Sequence, residues 1–141
     1  MGRSVSGTAA SEAGPTGRQL PGTVRLAGLL TLSCLISQTG QTTVTFAGEL
    51  DAAAADQAYG YVRDAIDAHG GEVLLNVAGL GFCDARGLGA LARMSRHAGQ
   101  AGSSVHLVAP PPLLVKIIRI TGLQDALPLH RGDRAGYMQV A

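Results

Sequence analysis

From Leu30 onward, short apolar runs of strand length take turns with longer stretches of helical periodicity. That alternation restricts the chain to a layered α/β fold. Leu30-Thr31-Leu32-Ser33-Cys34-Leu35-Ile36 alternates as a strand does, and Gly40 marks a turn. Thr43-Val44-Thr45-Phe46-Ala47 is a second strand, rich in β-branched residues. Only a short polar link separates the two, which predicts a hairpin. From Ala52 to about His69, Ala55, Tyr59, Val62 and Ile66 recur at helical spacing. Asp51 is a good N-cap for that helix, and Gly70-Gly71 stops it. Val73-Leu74-Leu75-Asn76-Val77 is nearly continuous, as a buried strand requires. Gly79-Leu80-Gly81-Phe82-Cys83-Asp84 reads as the turn into a second helix, Ala85 to about Gly99, with a buried stripe of Leu88, Leu91, Ser95 and Ala98. Val105 to Ala109 is another strand, and Pro110-Pro111-Pro112 opens a third helix, Leu113 to Thr121, that ends at Gly122. A last short strand is expected near Leu127 to Leu129. The order β-β-α-β-α-β-α predicts one α/β domain: a mixed, mostly parallel sheet with an opening β-hairpin, packed by helices.

The 141 residues leave room for one such domain and a tail. Residues 1–22 are rich in Gly, Ser, Ala and Thr, contain Pro15 and Pro21, and show no apolar periodicity. They read as a disordered N-terminal tail, residues 23–132 as the domain and residues 133–141 as a C-terminal tail. With 46% hydrophobic residues the chain has enough apolar side chains for a core. A formal net charge of +1 argues against direct nucleic-acid binding, which needs a dense excess of Lys and Arg. The longest apolar-leaning stretch, Leu26 to Ile36, contains Thr31 and Ser33 and falls well short of a membrane span. Ser, Gly and Thr fill the first twenty positions, where a secretory signal would need an apolar run. Cys34 and Cys83 are too few for a disulfide scaffold, so a reducing, cytoplasmic location is expected. Ten of the eleven basic residues are Arg, a bias typical of a GC-rich bacterial genome. Against that background Met1-Gly2-Arg3-Ser4-Val5-Ser6, which fits an N-myristoylation pattern, and Arg131-Gly132-Asp133 read as chance matches.

In open α/β sheets the functional surface lies at the carboxyl ends of the strands. Two such ends carry acids here: Glu49 with Asp51, and Asp84. Asp84 stands before an apolar helix, so its carboxylate is expected to cap the free amides there. Arg86 then falls in the first turn, where a cation opposes the helix dipole at a cost of about 0.3–1 kcal/mol if exposed. Gly48-Glu49-Leu50-Asp51 after a strand, Phe82-Cys83-Asp84-Ala85-Arg86-Gly87-Leu88-Gly89-Ala90-Leu91 before a helix, and Ile120-Thr121-Gly122-Leu123 after the next one together resemble the STAS domain. More narrowly the chain is similar to the small bacterial anti-sigma factor antagonists, over about residues 24–132. The resemblance implies a protein that is not an enzyme, carries no cofactor or metal, and acts as a monomer or weak homodimer. Its implied partner is an ATP-binding anti-sigma factor that is also a serine kinase, and binding it releases a sigma factor. The implied partner-binding surface is Glu49, Asp51, Asp84, Ala85, Arg86, Gly87 and Leu88.

One departure from the family pattern has chemical consequences. The family's loop runs Asp-Ser-Ser/Thr-Gly-Leu, with the kinase phosphorylating the Ser after the Asp; this chain has Asp84-Ala85-Arg86-Gly87-Leu88. Ala85 has no oxygen to accept a phosphoryl group, and the next hydroxyl downstream is Ser95. Where phosphate would add about −1.5 to −2 charges, Arg86 supplies a fixed positive one. The expected protein is an antagonist that cannot be switched off at this loop; the other reading is a STAS scaffold or sensory module in a larger signalling assembly.

Other chemistries fit less well. A phosphatase or sulfurtransferase loop at Cys83 would need an Arg six positions on, where Gly89 stands. Gly79-Leu80-Gly81-Phe82-Cys83-Asp84 has Asp where a dinucleotide loop needs its third Gly, and Lys116 is the only Lys, so no Walker loop exists. His69, His97, His106 and His130 show no metal-ligand spacing. A receiver domain would carry its acidic pair after the first strand rather than the second.

Overall fold

A computed structural model describes residues 23–26 and 28–130, so the two expected tails and the Arg-Gly-Asp tripeptide lie outside the described residues. The strands are β1 (Thr23–Arg25), β2 (Leu30–Ile36), β3 (Thr42–Leu50), β4 (Glu72–Cys83) and β5 (Ser104–Val108). The helices are α1 (Ala52–His69), α2 (Ala85–Gln100) and α3 (Pro112–Ile120). The sheet runs in the order β1-β2-β3-β4-β5. Its β1–β2 and β2–β3 pairs are antiparallel, and its β3–β4 and β4–β5 pairs parallel. The expected mixed α/β sheet with an opening hairpin is therefore present, with β1 as a strand the periodicity does not reveal. In place of a last strand, Leu129 makes one parallel bridge to Leu107. His130 N donates to Leu107 O at 2.7 Å, tying that segment to the β5 edge.

Both crossovers, β3-α1-β4 and β4-α2-β5, step the same way across the sheet. Right-handed connections then bring α1 and α2 to one face, where they pack on each other. Beneath them Leu32, Val44, Phe46, Leu75 and Leu107 are fully buried. α1 contributes Ala54, Ala55, Ala58 and Ala65 to that core beside Val62 and Ile66, small side chains that let a helix lie close. In α2 the buried stripe includes Met94 where Ser95 was expected, and Ser95 is half-buried. The opposite sheet face is mixed: Thr31, Ser33, Thr43, Thr45 and Asn76 are half-exposed, Leu35 is exposed and Leu74 is buried.

The largest departure from the expected elements is β4, which continues through Gly79-Leu80-Gly81-Phe82-Cys83 instead of breaking into a turn. The β3–β4 register shifts twice, between Thr45 and Ala47 and between Gly48 and Glu49. Each shift puts one extra residue on β4, as a β-bulge does. The two irregularities carry β4 up to the level of the β3 end, so that Glu49 lies opposite Phe82 and Leu50 opposite Cys83.

Candidate functional site

Because β3 and β4 finish side by side, the residues that follow them start two helices side by side. Asp51 caps α1: its Oδ1 accepts from Ala53 N at 3.1 Å and Ala54 N at 3.2 Å. Asp84 caps α2 through Oδ1, which accepts from Gly87 N at 2.8 Å. Its Oδ2 accepts from Ala52 N, the first amide of α1, at 3.1 Å. Asp84 N in turn donates to Leu50 O at 3.3 Å. One carboxylate thus satisfies donors from the starts of both helices, a role that sequence position alone does not reveal.

Glu49, Asp51, Asp84, Ala85 and Arg86 are brought together at this end of the sheet, Ala85 and Arg86 exposed and the three acids half-buried. Arg86 makes no hydrogen bond or ion pair with the described residues. Gly87 and Leu88 are buried, Leu88 within the core cluster. They present no side chain at the surface; they hold the loop. A Cβ on Gly87 would stand 2.1 Å from Leu50 O, so only glycine lets α2 start this close to the β3 end.

An apolar rim adjoins the loop and was not anticipated. Phe82 is 48% exposed and Leu113 65%, on either side of a crevice of about 160 Å³ walled also by Leu80, Cys83, Leu114 and Ile117. Phenylalanine is scarce in a chain only 4% aromatic, but composition does not distinguish exposed Phe82 from fully buried Phe46.

Cys83 at the end of β4 is a free, half-buried cysteine. Burial, and next the Asp84 carboxylate, push its thiol up to about 12, and burial pushes Cys34 up to about 11. Both stay protonated at neutral pH, so native alkylation by iodoacetamide at pH 8 is expected to be much slower than in urea. Rates that match the unfolded chain's would contradict the burial. Folding is linked to the same protons. Between the ordinary value of 9.0 and the raised ones the folded state binds more protons than the unfolded chain. Stability therefore falls as pH rises above about 9, and the urea midpoint should drop accordingly.

Among the described residues no group of three His, Cys, Asp or Glu could hold a metal ion. Three of the four histidines meet acids from distant positions, with His130 Nδ1 3.7 Å from Glu72 Oε2. His97 Nε2 is 2.7 Å from Asp67 Oδ1, and His106 Nδ1 is 3.1 Å from Glu72 Oε2. Among the described residues no helix is long and apolar enough to cross a membrane.

A family model described as "Mlab, STAS domain" matches residues 34–130. No curated protein matches the chain. Among solved structures, an anti-sigma factor antagonist from Mycobacterium paratuberculosis is similar over 79% of this chain and 93% of its own, with TM-score 0.65 and 21% identity. The phosphorylated Bacillus cell fate determinant SpoIIAA is similar over 74% of this chain and 95% of its own, with TM-score 0.56 and 21% identity. The murine anion transporter Slc26a9 is similar over 72% of this chain but 18% of its own, with TM-score 0.57 and 20% identity. At these identities the likeness is one of fold.

Proposed function

Since the chain belongs to the STAS-domain family, we propose that it is an anti-sigma factor antagonist, which binds an ATP-binding anti-sigma factor with serine-kinase activity and so frees a sigma factor for transcription. It acts by binding, without catalysis or cofactor of its own, in the cytoplasm, as a monomer or weak homodimer. The observation that carries the reading is the loop Asp84-Ala85-Arg86: anchored by its acid to two helices, it presents Ala85 and Arg86 to solvent where the family's phosphoacceptor loop stands. Glu49, Asp51 and Asp84 with Ala85 and Arg86 form the polar part of the partner surface, and Phe82 supplies an apolar anchor beside it. Gly87 and Leu88 serve that surface from below.

With no hydroxyl at position 85, binding is constitutive: the kinase has nothing to modify at this loop. Incubation with candidate anti-sigma kinases and ATP is expected to leave the intact mass unchanged, while Ala85→Ser gains one phosphate mapped to residues 82–91. Phosphate on the unsubstituted loop would sink the constitutive reading, and failure of every such kinase to bind would sink the antagonist reading. A second reading, a STAS scaffold or sensory module, draws support from the Slc26a9 likeness, in which the similar part is 18% of a much longer chain. Recovery of large multidomain partners from cell extract would favour it.

A further inference from the structure

We propose that the groove between α1 and α2, just outside the Asp84 loop, receives an acidic helix of the partner protein. The proposal rests on the partner-binding reading above for where the partner docks, and adds the chemistry that docks there. The groove is open, with a volume of about 490 Å³, and is lined by Arg86, Arg93 and Arg96 from α2 against a single acid, Asp56 from α1. Three of the ten charged-positive arginines of a +1 chain are therefore gathered at one site.

The arginines differ in how they are held. Arg93 is fixed, with Nη2 3.0 Å from Asp56 Oδ1 and its guanidinium carbon 4.5 Å above the centre of the Tyr59 ring. That leaves most of its five donors free. Arg86 and Arg96 have no partner among the described residues, and Arg86 stands against the dipole of its own helix. A carboxylate arriving from outside would neutralise that misplaced charge.

The spacing selects a helix. Arg86 and Arg93 are seven residues apart, two turns or about 10.5 Å along α2. A helix laid alongside with acids seven residues apart offers a carboxylate to each. Between the two arginines the floor is Gly89, whose missing side chain leaves open space where a Cβ would meet nothing within 4 Å. A side chain of the incoming helix can sit in that notch. A nucleic-acid strand fits less well, because three arginines, one of them already paired with Asp56, are too few cations for a continuous phosphate track.

The test uses the full chain and two fluorescent helical peptides, one with Glu at positions seven apart and its counterpart with Gln. The Glu peptide is expected to bind and to move the amide NMR signals of Arg86, Gly89 and Arg93, while the Gln peptide binds about tenfold more weakly. The double variant R86E/R96E should lose about tenfold in affinity by charge, and Gly89→Phe should block by shape. Melting curves establish that each variant is folded; the arginines are surface groups and the Gly89 site has room. The groove is overturned if neither peptide binds, if both bind alike, if the shifted amides lie elsewhere, or if a single-stranded oligonucleotide competes more strongly at the same residues. The same variants against a purified anti-sigma kinase separate the two proposals. A kinase that binds Gly89→Phe as tightly as the original chain overturns the groove alone. Binding of the Glu peptide by a chain that no such kinase binds overturns the antagonist reading alone.

Discussion

Gly87→Ala is expected to destabilise the domain by about 3 kcal/mol, the reverse of what helix propensity predicts. In an open helix the change would gain about 1 kcal/mol. Here the new methyl would meet Leu50 O at 2.1 Å and Leu50 Cγ at 2.9 Å. A backbone carbonyl at the end of a central strand has no room to yield, so α2 must move away. Leu50 O also accepts from Asp84 N, and Gly87 N donates to Asp84 Oδ1. Displacing the helix therefore stretches the contacts that place Asp84. Urea unfolding should show the lower midpoint. Unchanged stability would mean that the helix start is not seated against β3.

Phe46→Ala should cost more, about 4 kcal/mol, with a fall in melting temperature of roughly 15 °C. Phe46 is fully buried in the middle of β3 and is the largest such side chain in the core. The helix over the sheet brings Ala54, Ala55, Ala58 and Ala65, which have no rotamers to swing into the space the ring would leave. A cavity that cannot collapse puts the substitution high in the range for large-to-small changes. Phe82→Ala is the matched comparison. Its ring is 48% exposed, so stability should change by under about 1 kcal/mol while partner affinity falls. Equal losses of stability at the two positions would refute this division of labour.

The sequence makes some of this architecture readable and hides the rest for identifiable reasons. Both ends of α1 are legible, because Asp51 and Gly70 perform there the capping and stopping their chemistry suggests. The start of α2 is legible from Asp84 in the same way. The length of β4 is not. Gly79 and Gly81 look like punctuation, yet they lie in the strand, and a Cβ on Gly79 would come within 2.8 Å of Phe46 O. The glycine is there for close approach of two backbones at a bulge, which no local pattern distinguishes from a turn. In α2, Met94 and Ser95 both fit the spacing from Leu91 to Ala98, and only the packed helix decides for Met94. At the candidate site the acids and Arg86 are visible in the sequence. The groove is not, because Asp56 and Tyr59 come from a different helix than the arginines they face.

The carboxylate of Asp84 has a mechanical consequence. It holds Ala52 N with one oxygen and Gly87 N with the other, so α1 and α2 are anchored at a common point rather than separately. A force or charge acting on the tip of the loop is transmitted to both helices at once, and they cannot drift apart at that end without giving up the shared acceptor. The mouth of the groove between them is pinned there, and the His97–Asp67 contact joins the two helices again toward their far ends. A chain assembled in this way needs no covalent mark to couple its exposed tip to both helices, since one side chain already belongs to both.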